Sequence, residues 1–368
     1  MEENTESVEE AVPEMEIPFE FNGKAGEYFG IWIVNVLLTI ITLGIYAPWA
    51  KVRTKRYFYG NTLLENSPFD FIANPVTILK GYLIALAFYI AFSLSTEFYP
   101  TLGLFFIAVF FIVLPWIVVR SMAFRLSNTT YRNIRFKFNR DYSSAYKVFM
   151  GIGLLVPLTL GLIFPYYHYR QSKFIVDKSG YGQTKFGFDA PVGDFYIIYI
   201  AVWLMFTAIG VLMIFMGPLM VLMFPDLASA QVAAESGAEV DPEQQQQILM
   251  YTMVLMGFMS FFYIIVFAYM QTAITNLLWN NITIAEQRFR STLKTSAMIW
   301  LYLSNAIAII LSFGLLIPWA KIRMTNYRLS HLVVLSETEL GKVIAAEHEQ
   351  ASAMGEEIGD VFDMDIGI

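Results

Sequence analysis

Seven basic side chains and five uncharged polar ones are the residues of this chain whose types and spacing suit ligand binding. Lys51, Arg53, Arg120, Arg132, Arg135, Lys321 and Arg323 fall in short basic stretches, each following an apolar segment. Cations just beyond a membrane segment lie within reach of anionic lipid headgroups, so the chemistry they offer is phosphate binding. Asn35, Asn305, Gln271, Thr275 and Asn276 lie inside or at the edge of apolar segments. An amide in hydrocarbon must bond to a neighbouring helix or line a polar path. Gln271 and Thr275 share a helix face through their i, i+4 spacing. These five are the candidates for a solute path; helix-to-helix bonding, or a helix end leaving the membrane, is the plainer role for each.

No enzyme template accompanies them. The chain has no GxxxxGK[ST] loop, GxSxG elbow, HExxH pair or dinucleotide fingerprint. It has no Cys, and its three His (His168, His331, His348) are far apart, so no metal-ligand spacing occurs. The chain is expected to be non-enzymatic, without a cofactor and without a nucleic-acid partner.

The elements that must position these residues are membrane segments. Of the 368 residues, 57% are hydrophobic and 15% charged, and mean hydropathy is +0.53. Soluble domains run nearer 45–50% and about 25%. Segments 28–47, 77–95, 101–119, 148–165, 195–224, 248–275 and 297–317 contain Lys80 and no other Lys, Arg, Asp or Glu. About 20 helical residues cross a hydrocarbon core. The opening MEENTESVEEAVPEMEIPFEF is acidic and lacks the basic start and apolar run of a secretory signal. The first apolar segment is therefore expected to stay as an anchor. The composition implies an all-α polytopic membrane protein of about seven hydrophobic helices.

The boundary motif repeats without gaps. Pro48, Trp49, Arg53, Asn61, Thr62, Phe69 and Phe71 return as Pro115, Trp116, Arg120, Asn128, Thr129, Phe136 and Phe138. Gly44, Pro48, Arg53, Phe69 and Phe71 return as Gly161, Pro165, Arg170, Phe186 and Phe188. Phe19 and Phe21 match Phe136 and Phe138. Asn35, Gly44, Pro48, Trp49, Lys51, Arg53 and Tyr57 return as Asn305, Gly314, Pro318, Trp319, Lys321, Arg323 and Tyr327, and a worn copy ends near Phe289. Pro-Trp is expected to close a membrane helix at the interface. The polar centre and Phe-x-Phe that follow predict a short β-hairpin lying on the membrane surface or against the helix ends.

Two crossing counts compete. If every segment crosses, three-helix units repeat with inverted topology, as in transporters. The basic residues then divide 16 to 8, with the N-terminus outside. If the single segments 28–47, 148–165 and 297–317 dip and return, four crossings remain and all 24 basic residues share one side. Those singles share a Gly four residues before a Pro: TLGIYAP, TLGLIFP and SFGLLIP. Their length favours seven crossings, and seven is the expectation. The middle single also holds Gly151, Gly153 and Pro157, which predicts a kinked or broken helix. The expected division is an acidic tail at 1–17, a membrane domain at 18–335 and an acidic tail at 336–368. Within the membrane domain, unit one spans 18–140, unit two 141–290 and a partial third 291–335. The C-terminal tail is expected to dock on the basic stretches at 48–71 and 115–138.

NGKAGEYFGIWIVNVLLTIITLGIYAPWAKVRTKRYFYGNT resembles the opening of the YjgN-type family of bacterial inner-membrane proteins. RLSNTTYRNIRFKF, IPWAKIRMTNYR and GEEIGDVFDMDIG are similar to that family as well. The resemblance implies a multi-pass protein of the bacterial inner membrane and carries no activity or site residues. Two functions suit the residues. One is a small-solute transporter or channel of duplicated units. The other is a non-enzymatic scaffold or lipid-interacting protein whose basic stretches meet the bilayer and its anionic headgroups.

Overall fold

The computed structural model describes residues 15–223 and 241–336. Residues 1–14 and 337–368 of the two expected tails, and with them the expected docking of the C-terminal segment, lie outside the described residues, whereas residues 15–17 and Ser336 belong to strands. Two compact units are present. The first takes its described residues from Met1–Pro191, Asn276–Thr292 and Leu315–Ile368, and the second from Val192–Thr275 and Leu293–Gly314.

The hairpins do not lie separately on a surface. Among the described residues, ten strands close into one antiparallel barrel, all within the first unit. They are β1 (Met15–Phe21), β2 (Thr62–Leu64), β3 (Ser67–Phe71), β4 (Thr129–Tyr131), β5 (Ile134–Phe138), β6 (Ser179–Tyr181), β7 (Thr184–Phe188), β8 (Ile282–Ile284), β9 (Gln287–Ser291) and β10 (Leu332–Ser336). Four of the boundary motifs each supply a three-residue strand, a two-residue turn and a five-residue strand, and the last copy leads to β10 alone. Glu65–Asn66 and Arg132–Asn133 have positive φ at both central positions, the type I′ geometry that matches strand twist. Neighbouring hairpins pair in turn, as in Phe69 with Tyr131 and Phe136 with Tyr181. The first and last strands close the ring, with Ile17 opposite Val334.

The barrel faces water. Alternation along a strand sends successive side chains to opposite faces. Ile17, Phe19, Phe69, Phe136, Phe186 and Val334 share the inner core, while Glu20, Asp70, Arg135, Lys185 and Arg288 are exposed. A transmembrane barrel is apolar outside and needs strands of about 9–11 residues. These strands have three to seven. The second Phe of each motif plugs the end joined to the helices. Phe71 packs on Val52, Ala73, Ile78 and Phe124, and Phe138 on Val119, Ala123 and Phe174.

In the first unit the helices are α1 (Ala25–Ile41), α2 (Ala47–Gly60), α3 (Pro75–Phe98), α4 (Pro100–Ser127), α5 (Tyr142–Ala145), α6 (Gly153–Leu158), α7 (Phe164–Asp177) and the later α11 (Ile317–Leu329). A π-helical run, Tyr146–Ile152, joins α5 to α6, so the middle single is irregular as its Gly and Pro imply. The second unit holds α8 (Val192–Met223), most of α9 (Pro242–Asn280) and α10 (Thr295–Leu311).

The expected all-α protein of about seven crossings is overturned by the closed barrel. Among the described residues, four helices are long and apolar enough to cross a membrane: Pro75–Phe98, Thr101–Ser127, Val192–Phe215 and Pro242–Asn280. One water-facing barrel cannot be split between two aqueous phases. An even number of crossings must therefore separate consecutive hairpins. The pair α3–α4 and the pair α8–α9 satisfy this; a single crossing at 28–47, 148–165 or 297–317 would not.

The singles at 28–47 and 148–165 turn back instead. α1 and α10 have 17 residues each. Each single ends in the same turn, with Leu43, Leu160 and Phe313 at φ of 49°, 50° and 50° and Gly44, Gly161 and Gly314 at 91°, 83° and 89°. Gly44 N–H donates to Thr39 O at 2.8 Å and Leu43 N–H to Ile40 O at 3.1 Å. This is a Schellman cap, in which paired bonds close the helix end. The same two bonds recur at Gly161–Val156 and Leu160–Pro157, and at Gly314–Ile309 and Phe313–Ile310. A left-handed Leu or Phe is strained, yet these three side chains are 95%, 93% and 98% exposed. An apolar side chain held outward at a tip suits insertion into lipid. Pro48, Pro165 and Pro318 open α2, α7 and α11 rather than close a membrane helix, and Pro115 lies inside α4.

Candidate functional site

Tyr28, Trp32, Asn35 and Thr39 project from one face of α1, at the three-and-four spacing of a helix stripe. Ala50, Lys51, Thr54 and Lys55 answer from α2, and Lys321 from α11. Together they line a crevice of about 540 Å³ within the first unit. The α1–α2 turn fixes the two helices antiparallel, which sets Asn35 against Ala50 and Thr54. Asn35 Nδ2 donates weakly to Ala50 O at 3.4 Å and Thr54 Oγ1 at 3.5 Å. Its Oδ1 is buried without a hydrogen bond among the described residues, and the residue is 5% exposed.

The crevice is positively charged and lacks a carboxylate. Lys51, Lys55 and Lys321 make no ion pair among the described residues. Lys55 Nζ lies 4.5 Å from the Phe71 ring centroid, and Lys51 Nζ 5.7 Å from that of Tyr82. Burial lowers the Lys55 pKa to about 8, helped by the charges of Lys51 and Arg125. The unfolded chain keeps that proton up to the ordinary lysine value of 10.5. Between those values the unfolded state binds more protons, so this contribution to stability rises with pH. An anion in the crevice reverses the preference by favouring the charged amine.

The other sequence candidates go to different places. Arg53 is exposed on α2. Arg120 and Arg323 lie over the rings of Trp116 and Trp319, one turn back on their own helices, at 5.6 and 5.2 Å. Arg132 sits at the barrel's turn end, away from the helices. There its guanidinium donates to Glu65 Oε2 at 2.8 Å and Ser67 Oγ at 3.0 Å, tying two hairpins together. Arg135 points outward from β5. Asn276 Oδ1 accepts from Ser291 Oγ at 2.7 Å, anchoring α9 to β9. Gln271 and Thr275 are half-buried on α9, and Asn305 is buried on α10. Asn35, Lys51 and Lys321 are thus brought together. Trp32, Thr54 and Lys55 were missed, although Lys55 shares the face of Lys51 by i, i+4 spacing. No group of three His, Cys, Asp or Glu capable of holding a metal occurs among the described residues.

Relatives are inner-membrane proteins. The chain is 29% identical over 341 residues to the "Inner membrane protein YjgN" of Salmonella typhimurium, covering 83% of this chain and 85% of that protein. It is 30% identical over 159 residues to the protein of the same name from Escherichia coli K12, covering 42% of this chain and 40% of that protein. No solved structure matches. With four helices of membrane-crossing length among the described residues, the chain is a protein of the bacterial inner membrane. The model of one family, described as "Bacterial protein of unknown function (DUF898)", matches residues 16–361, and the chain belongs to that family.

Proposed function

We propose that the chain is a non-enzymatic membrane protein that binds an anionic lipid headgroup in the α1–α2–α11 crevice, on the cytoplasmic leaflet. One observation carries this reading. Three lysines without carboxylate partners converge on a crevice that also holds the unpaired Oδ1 of Asn35. The lysines suit a phosphate, and Asn35 Oδ1 suits a hydroxyl or ammonium donor of the same headgroup. The Leu43 tip seats the crevice at headgroup depth. Every Lys and Arg from Lys24 to Arg328 follows the barrel's side, whereas the α3–α4 turn and the whole of 186–287 contain none. Positive-inside then sets the barrel in the cytoplasm.

The test uses the full chain in phosphatidylcholine nanodiscs carrying spin-labelled phosphatidylglycerol. Each lysine near an anionic surface is worth about 1 kcal/mol, so Lys51→Gln, Lys55→Gln and Lys321→Gln together are expected to weaken retention roughly 100-fold. Retention in the parent is expected to fall as pH rises through about 8, where Lys55 loses its proton. Unchanged retention in the triple variant refutes the proposal. Transport of a small solute is the competing reading. It gains if Gln271→Leu with Thr275→Val abolishes a solute flux in proteoliposomes while lipid retention stays intact.

A further inference from the structure

Inside the barrel lies a second cavity, of about 200 Å³. Its wall is built by repetition. The first Phe of each Phe-x-Phe motif points inward, and these rings stack around the barrel: Phe19 on Phe69 at 6.2 Å, Phe69 on Phe136 at 6.5 Å and Phe136 on Phe186 at 6.4 Å. Trp279, from the last turn of α9, adds an indole 5.3 Å from Phe289. The rings are only partly buried although they face inward, because the cavity exposes them. No Lys, Arg, Asp or Glu lines it.

Four side chains bring polar groups to the wall: Thr184, Gln287, and Tyr131 and Tyr181, whose hydroxyls donate to Leu64 O at 2.7 Å and to Tyr131 O at 2.9 Å. Gln287 opens β9 and shares the inner face with Phe289 and Ser291. It is 2% exposed, and its Nε2 makes no hydrogen bond among the described residues. A buried donor without an acceptor is costly and needs an explanation. The repeat-equivalent position on β5 is Ile134, fully buried and apolar, so the fold does not require an amide there.

We propose that the barrel interior binds the neutral, carbonyl-bearing end of an apolar lipid, with Gln287 Nε2 donating to the carbonyl oxygen. A carboxylate is disfavoured because no cation stands by to offset its desolvation. The volume accommodates about seven water-sized groups of about 30 Å³ each, a ring or a short chain rather than a whole lipid. Acyl esters and isoprenoid quinones both present this chemistry. The site shares no residue with the lysine crevice and stands or falls separately.

The full chain in nanodiscs is titrated by calorimetry with methyl octanoate, a short-chain ubiquinone analogue and octane, against nanodiscs without protein. Saturable binding of the ester or the quinone is expected, and whichever binds tighter names the source. Gln287→Met removes the donor at similar volume. It is expected to weaken the carbonyl probes about three- to tenfold, the worth of one hydrogen bond, to leave octane unchanged, and to preserve the melting temperature. Ile284→Trp fills the cavity and is expected to abolish all binding. Absence of saturable binding by both carbonyl probes overturns the proposal, and so does equal carbonyl affinity in a folded Gln287→Met protein. If Ile284→Trp fails to fold, Gln287→Met decides alone.

Discussion

Phe71→Ala is expected to lower the unfolding free energy by about 3–5 kcal/mol, the range for a buried aromatic truncated in a packed core. Phe69→Ala, two residues earlier on the same face of β3, is expected to cost clearly less. Phe71 is 1% exposed and wedged among Val52, Ala73, Ile78 and Phe124, from α2, the β3–α3 link, α3 and α4. Removing it leaves a hole that helices anchored by prolines and a barrel cannot close. Phe69 borders an existing cavity, so part of its surface already lacks protein contacts. Thermal unfolding in detergent, read by near-ultraviolet circular dichroism, measures both. Equal losses would contradict the assignment of the two rings to a sealed end and an open interior.

The second large effect belongs to the three tips. Asp in place of Leu43, Leu160 and Phe313 together is expected to destabilise the membrane-bound fold by several kcal/mol. A carboxylate at the centre of a membrane helix costs about 2.5–3.5 kcal/mol, so three tips seated in hydrocarbon sum to several kcal/mol. Local thinning and water entry reduce the sum. Asp at the exposed barrel turn, as Asn66→Asp, is the control and is expected to cost little. Melting temperature in nanodiscs is the readout. A triple variant that melts with the parent would show that the tips stay out of lipid. In that case the left-handed Leu and Phe would have no physical account.

The boundary motif was legible because each copy carries its own fold. A polar turn and a Phe-x-Phe pair are local signals, and they recur at fixed offsets; the Pro before them was read as closing a membrane helix, whereas it opens the next one. Closure was not legible. β2, β4, β6 and β8 have three residues each, too few for alternation to show, and every strand's second partner belongs to another hairpin or to a terminus. The crossing count failed for a related reason. The apolar run 28–47 passes over a turn, so a 17-residue helix and the start of the next read as one span. The Gly four residues before each Pro marked the true end, as the C-cap of a helix that returns. The absence of basic residues from the α3–α4 turn and from 186–287 was the stronger signal. Asn35, Lys51 and Lys321 could be read from the repeat. Gln287 could not, since only the register of β9 shows that it faces inward.

One measurement tests the central claim, that all hairpins share one side of the membrane. The chain contains no Cys, so single cysteines at Glu65, Arg132, Gln183 and Glu286, one per two-residue turn, can be labelled without background. With a membrane-impermeant maleimide, all four are expected to react only in inverted vesicles, and a cysteine at Glu97 or Asp241 only in spheroplasts. Reaction of the 183 and 286 positions from the face opposite to 65 and 132 would restore seven crossings and contradict the barrel.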